Sequence, residues 1–200
     1  MKQIILASNN KNKLREFKEL FAPIGYEVIS QREAGVNLEA EETADTFAGN
    51  AYIKAKAASD MTGLPAISDD SGLMVDALNG EPGIYSARYG KGHAATDEER
   101  YMFLLEKLGN ETNRTARFVC SICCVFPDGR IIRAEQNCEG EILYSPRGAN
   151  GFGYDPVFRP QGLDRSMAEL DSNEKNAISH RGKAVRMFIS EFMRYTDDNK

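Results

Sequence analysis

Several absences narrow the reading before any motif is considered. The 200-residue chain has no apolar run long enough to cross a membrane. Its opening run, Ile4-Ile5-Leu6-Ala7, is also too short for the core of a secretion signal, so a cytoplasmic protein is expected. There is no basic excess: 25 Lys and Arg stand against 30 Asp and Glu, a net charge of -5. Domains that grip a nucleic-acid backbone usually carry the opposite balance, whereas a small phosphorylated ligand needs only a few local cations. There is no second Cys pair and no His cluster, so Cys120-x-x-Cys123 lacks the remaining ligands of a zinc site. Cys120, Cys123, Cys124 and Cys138 are read instead as small apolar residues of packed strands. No Gly-x-x-x-x-Gly-Lys occurs, so a phosphate site here is not a P-loop.

What is present is an ordinary globular balance, 42% hydrophobic and 28% charged. A chain of this length buries roughly 70% of the surface its unfolded form exposes. No repeat, low-complexity tract or linker divides it, so residues 1–200 are expected to form one domain. Ile4 to Ala7 reads as a strand, and Ser8-Asn9-Asn10 caps a helix to about Phe21, with Leu14, Phe17 and Phe21 on one face. Tyr26 to Ser30 reads as a strand, Gln31 to Glu42 as polar loop, and Thr43 to Met61 as a helix stopped by Thr62-Gly63. Pro65 to Ser68 is a short strand ending at Asp69-Asp70-Ser71-Gly72, and Leu73 to Ala77 another. Thr96-Asp97-Glu98-Glu99 is a capping box for a helix reaching Leu108. Arg117 to Phe126 and Arg130 to Cys138 form a hairpin about Pro127-Asp128-Gly129, with a further strand at Glu141 to Tyr144. A Gly-rich loop from Arg147 to Tyr154, one helical stretch from Ser172 to Arg194, and a polar tail from Thr196 complete the chain. Early alternation of helix and strand with a late hairpin predicts an α/β protein with a mixed sheet.

Polar clusters gather at the ends of these elements, where sites are usually built. Ser8-Asn9-Asn10-Lys11-Asn12-Lys13 joins a helix start to lysines, a setting that suits a phosphate or serves as a plain N-cap. Glu39-Ala40-Glu41-Glu42 supplies carboxylates, or a solvated acidic loop. Asp69-Asp70-Ser71-Gly72 is costly unless a cation neutralises it, and magnesium prefers such oxygens; the same letters also make an Asx turn. Gly151-Phe152-Gly153-Tyr154-Asp155-Pro156 lets a base approach the backbone, with Phe152 or Tyr154 to stack on it or to fill the core. Lys175, His180 and Arg181 offer donors to phosphate or to a ring carbonyl, or line a solvated helix face. Together these groups describe a nucleotide site with phosphoryl chemistry.

At these residues the chain resembles the inosine triphosphate pyrophosphatase family from Ile5 to about Lys183. The matching segments are Ala7 to Lys13, Glu41-Glu42-Thr43, Asp69 to Leu73, Pro82 to Tyr89, Gly151 to Pro156 and Glu174 to Arg181. The family's first motif often has Thr-Gly where Ser8-Asn9 stand here. The resemblance implies an elongated α/β structure with a central mixed sheet and two lobes, the substrate lying in a groove between them. It implies a homodimer, magnesium (Mg2+) as cofactor, and hydrolysis of inosine, deoxyinosine and xanthosine triphosphates between the α- and β-phosphates. On that resemblance Ser8, Asn9, Asn10, Lys11, Asn12 and Lys13 hold the triphosphate, and Glu41 and Asp70 are the metal-linked carboxylates. Asp70 is also the general base and Ser71 a substrate contact. Phe152, Gly153, Tyr154 and Asp155 take the nucleoside end, Lys175 reaches phosphate or sugar, and His180 and Arg181 read the base.

Two other readings use the same residues. A pyrophosphatase for other modified nucleotides, like the septum-formation inhibitor family, fits the Phe152 to Asp155 and Ser179 to Arg181 segments poorly. A nucleotide sensor without turnover has no need of both Asp69 and Asp70.

Overall fold

The computed structural model describes residues 2–36, 41–90 and 96–197. Glu39 and Ala40 of the acidic segment, and 198–200 of the tail, lie outside them. The first strand, β1 (Lys2–Leu6), buries Ile4, Ile5 and Leu6 completely, as a strand covered on both faces must. It pairs in parallel with β2 (Tyr26–Ser30) and with β3 (Ala66–Val75). The sheet order is β2-β1-β3-β4-β5-β6, with β4 at Thr115–Val125, β5 at Ile131–Ile142, and β6 at Phe158–Pro160 antiparallel to β5. Both kinds of pairing in one six-stranded sheet make this the expected α/β fold with a mixed sheet.

By compactness the chain divides into two units. One is Met1–Asp70, Cys120–Gln136 and Ala184–Lys200; the other is Ser71–Val119 and Asn137–Lys183. In the first, side-chain alternation along the strands sorts the core into two layers. Ile4, Leu6, Ile67, Cys120, Ile122 and Cys124 pack with Phe17 and Phe21 of α1 (Lys11–Phe21) and with Phe188 and Phe192 of α5 (His180–Asp197). Their neighbours Ile5, Ala7 and Ala66 pack with Ala58 of α2 (Phe47–Thr62), while Ala51 and Ala55 of α2 meet Cys123 and Val125. In the second unit, Leu73, Val75, Phe118 and Phe158 pack with Leu104 and Leu108 of α3 (Asp97–Leu108). The capping box at Thr96 and Glu99 is formed, and α3 ends at Gly109 as read from sequence.

Four elements differ from the sequence reading. Asp69-Asp70-Ser71-Gly72 is neither a strand end nor a turn: β3 runs unbroken from Ala66 to Val75, joining two strands read as separate. Charge neutralisation by lysines removes the reason for a break there, as described below. Helix α2 starts at Phe47 rather than Thr43, because Thr46 accepts from Gly49 N at 3.1 Å while Ala44 N donates to the Asn50 side chain at 3.0 Å. The strand read at Glu141 is the end of β5. The last helical stretch is two helices, α4 (Ser172–Ile178) and α5, parted at Ser179. Ser179 is extended (ψ 154°), and its Oγ accepts from Gly182 N at 3.1 Å, so it caps α5. A Cβ at Gly182 would collide with the Asn176 carbonyl oxygen, so glycine lets the two helices meet this closely.

Candidate active site: a lysine-bridged carboxylate cluster and a clamped glycine loop

In a strand, adjacent residues point to opposite faces. Asp69 therefore follows Ile67 toward α1, and Asp70 follows Ala66 toward α2. Lys13 of α1 meets Asp69 at 3.1 Å from Oδ2 and donates to its carbonyl at 3.3 Å. Lys54 of α2 donates to Asp70 Oδ1 at 3.0 Å and to Glu42 Oε1 at 2.6 Å. Each buried aspartate thus has its own lysine, which offsets the cost of taking two adjacent carboxylates out of water.

The second oxygen of Asp70, Oδ2, is buried without a hydrogen-bond partner. Burial pushes the Asp70 carboxyl above its ordinary range, with Lys54 and Lys13 working in the opposite direction. Burial also disfavours the Lys54 ammonium, but Asp70, Glu42 and Asp69 outweigh it and hold the lysine above its ordinary range.

The segment before α1 is held by its own side chains. Asn10 caps the helix, accepting from Asn12 N at 2.9 Å and Lys13 N at 3.2 Å. Ser8 Oγ accepts from Asn10 N at 3.2 Å, and Asn9 Oδ1 accepts from the Gln31 amide at 2.8 Å. Lys11 is exposed. Glu41 is exposed too, and it is Glu42 beside it that reaches Lys54. Lys54 does not stand out in the sequence, and within the acidic segment the resemblance points to Glu41 rather than Glu42. The available signal was a lysine set within the Ala51, Ala55, Ala58 stripe, where a cation facing the sheet needs an acid opposite it.

In the second unit the glycine loop is built around Asp155, which is 2% exposed. Asp155 Oδ2 accepts from Phe152 N at 2.9 Å and from Lys175 Nζ at 2.7 Å. Gly151 and Gly153 both have positive φ, 79° and 64°, and a Cβ on Gly151 would strike the Asp155 carboxylate. Phe152 is partly buried beneath two cations, with Lys175 Nζ 4.5 Å and the Arg181 guanidinium 5.5 Å from its ring centroid. Arg181 also donates to Ser71 Oγ at 3.4 Å. Of the two aromatics, Tyr154 belongs to the core: it is 4% exposed, and its hydroxyl donates to the Ser86 carbonyl at 2.8 Å. His180 lies nearly flat on Phe118, centroids 4.7 Å apart. Gly153 N donates to Asp97 Oδ2 at 2.6 Å, a contact that sequence reasoning missed.

All four cysteines are free and buried. Among the described residues, no group of three or more His, Cys, Asp or Glu gathers into a metal cage. No helix among them is long and apolar enough to cross a membrane.

These groups define an α/β protein with a buried lysine–carboxylate cluster and an aromatic flanked by cations in a glycine loop. Comparison with known proteins narrows the class. The model of the Ham1 family matches residues 4–191. A dITP/XTP pyrophosphatase of Nostoc is 50% identical over 189 residues, covering 94% of this chain and 93% of its own. A HAM1 protein of Coxiella burnetii has a structure similar to this one at TM-score 0.89 and 44% identity, covering 97% of this chain and all of its own. The Ham1 protein of Staphylococcus aureus matches at TM-score 0.84 and 43% identity over the whole of both chains. The chain belongs to the Ham1 family.

Proposed function

We propose that the protein hydrolyses inosine, deoxyinosine and xanthosine triphosphates to the nucleoside monophosphate and pyrophosphate, removing damaged purines from the nucleotide pool. The observation that carries this reading is Asp70: a buried carboxylate tied to Lys54 through one oxygen, with the other lacking a hydrogen-bond partner. The near full-length likeness to proteins named dITP/XTP pyrophosphatase supports the substrate class.

The residues fit magnesium, which binds through one or two carboxylates and otherwise keeps water and phosphate oxygens. Asp70 would hold the ion through a metal-bound water at Oδ2, which keeps that oxygen available as the base, and the Glu41-Glu42 segment would supply the other carboxylate, Glu42 being the member whose side chain reaches the cluster. When bound there, the ion supplies neutralisation of phosphate charge and polarisation of the phosphorus under attack.

Asp70 takes a proton from water as the water oxygen bonds to the α-phosphorus. The bond from that phosphorus to the bridging oxygen then breaks, and pyrophosphate leaves with the electron pair. Lys54 holds the Asp70 carboxylate in place throughout. Phosphoryl transfer depends on such positioning and charge neutralisation more than on covalent catalysis. Ser8 to Lys13 take the triphosphate, with Lys13 the main cation. Ser71 contacts the substrate, Phe152 to Asp155 take the nucleoside end, Lys175 reaches phosphate or sugar, and His180 and Arg181 read the base. The family resemblance supports a cytoplasmic homodimer in which residues 1–200 act as one catalytic domain on free nucleotides, and the net charge of -5 suits such a partner better than nucleic acid.

The test is a panel of nucleoside triphosphates with magnesium, run in oxygen-18 water. Inosine and xanthosine triphosphates should release pyrophosphate, with the label in the monophosphate. Orthophosphate release, label in pyrophosphate, or equal turnover of adenosine triphosphate would each reject the reading.

A further inference from the structure

The Phe152-Gly153 segment leads into Tyr154 and Asp155, which are buried, but its own backbone sits between flexible positions. Gly151 and Gly153 flank it, both with positive φ, and glycine moves between backbone regions at little cost. Its two amides are held by a pair of carboxylates. Asp155 accepts from Phe152 N at 2.9 Å, and Asp97 accepts from the next amide, Gly153 N, at 2.6 Å. The two clamps come from different places. Asp155 lies in the loop itself, whereas Asp97 is the first residue of α3. The other oxygen of Asp97, Oδ1, accepts from the Arg100 guanidinium, so a cation orients the carboxylate toward Gly153. Thr96 next to it makes an ordinary cap, accepting from Glu99 N at 3.1 Å, with the Glu99 side chain accepting from Thr96 N at 2.9 Å.

We propose that Asp97 is a positioning residue for nucleoside binding. By holding Gly153 N it sets the backbone that aims the Phe152 ring, and through that ring it sets the partners stacked on it, Lys175 and Arg181. The inference rests on the nucleotide reading above, which wild-type turnover tests by itself. Its own consequence is narrower: loss of the Asp97 clamp loosens the nucleoside end and leaves the phosphate end untouched.

A mere helix-stabilising role makes a different expectation, because any acid in the first turn favours α3. The two roles separate in a set of variants. Asp97→Ala removes the clamp. Asp97→Asn keeps an acceptor oxygen at the same reach. Asp97→Glu keeps the charge for the helix start but carries it one methylene too far. Thr96→Ala weakens the same helix start without touching the loop. For each folded variant, KM and kcat are measured with inosine triphosphate, and inorganic triphosphate is titrated as an inhibitor with no nucleoside.

Asp97→Ala should raise KM about tenfold, with kcat within about threefold of wild type. The inhibition constant of inorganic triphosphate should stay unchanged. Asn should restore KM better than Glu, and Thr96→Ala should leave KM alone. The proposal is overturned if Glu rescues as well as Asn, if Thr96→Ala raises KM equally, or if inorganic triphosphate weakens in step with inosine triphosphate. Should the alanine variant fail to fold, the order of Asn and Glu decides the matter.

Discussion

Lys54 holds Asp70 by one oxygen: its Nζ donates to Oδ1 at 3.0 Å, while the buried Oδ2 has no hydrogen-bond partner. The same ammonium donates to Glu42 at 2.6 Å, so one cation restrains both carboxylates and leaves Asp70 a face for water or metal.

This arrangement fixes the sign of a pH effect. Asp70 works as a base only when ionised, so kcat/KM falls as pH drops through its pKa. Burial raises that pKa, and the Lys54 charge works against burial. Lys54→Met removes the opposing charge, so the acid limb of the profile should move to higher pH. A kcat/KM profile with inosine triphosphate checks this. A limb that stays in place or moves to lower pH contradicts the assignment of the base.

Lys175 and Asp155 form a buried pair at 2.7 Å, with side chains 10% and 3% exposed. Lys175→Met should leave the Asp155 carboxylate without its cation and lower unfolding stability by about 3 kcal/mol. Adding Asp155→Asn should recover part of the loss, since the stranded charge is then gone. Urea denaturation of the single and double variants measures both. A single variant as stable as wild type would show that the pair contributes nothing.

Base choice follows from the inventory of donors. Arg181 offers donors alone, which suit the 6-oxo group of inosine or xanthosine and oppose the 6-amino group of adenine. A mismatch of this kind costs a few kcal/mol in a dehydrated site, about a hundredfold in efficiency. Arg181→Ala should therefore narrow the ratio of inosine to adenosine triphosphate turnover. Phe152→Ala should lower both efficiencies and largely keep the ratio, because a ring face stacks on any base. If Arg181→Ala leaves the ratio intact, some other group reads the base.

The cysteines give a test of packing against metal binding. All four are free and buried, and burial pushes the thiols of Cys123, Cys124 and Cys138 up, away from the reactive thiolate. A thiol reagent should find almost none in the native protein and all four in denaturant, with no zinc released. Fast native reaction at any of them would contradict the packing.

Helix ends were legible because their signals are local: Thr96 and Glu99 are three residues apart, and Gly63 and Gly109 stand where the chain turns. The unbroken course of β3 was not legible. Asp-Asp-Ser-Gly reads as a turn unless Lys13 and Lys54, dozens of residues away or more than a dozen, are known to neutralise it from opposite faces. Lys54 and the long-range contacts of Glu42 and Asp97 escaped for the same reason. Each acts through a partner distant in sequence, and each has an ordinary local role as helix-surface lysine, acidic loop residue or first-turn acid. Tyr154 shows the reverse: a Gly-flanked aromatic suggested stacking, but the long-range bond to Ser86 places it in the core.

The most direct test of the central claim is pyrophosphate release from inosine triphosphate by Asp70→Asn, measured beside circular dichroism and a melting curve. The substitution keeps shape while removing both the base and a metal-linked charge. The expected result is a folded protein whose kcat has fallen by about a hundredfold or more. A folded Asp70→Asn enzyme turning over at near the wild-type rate would contradict the account.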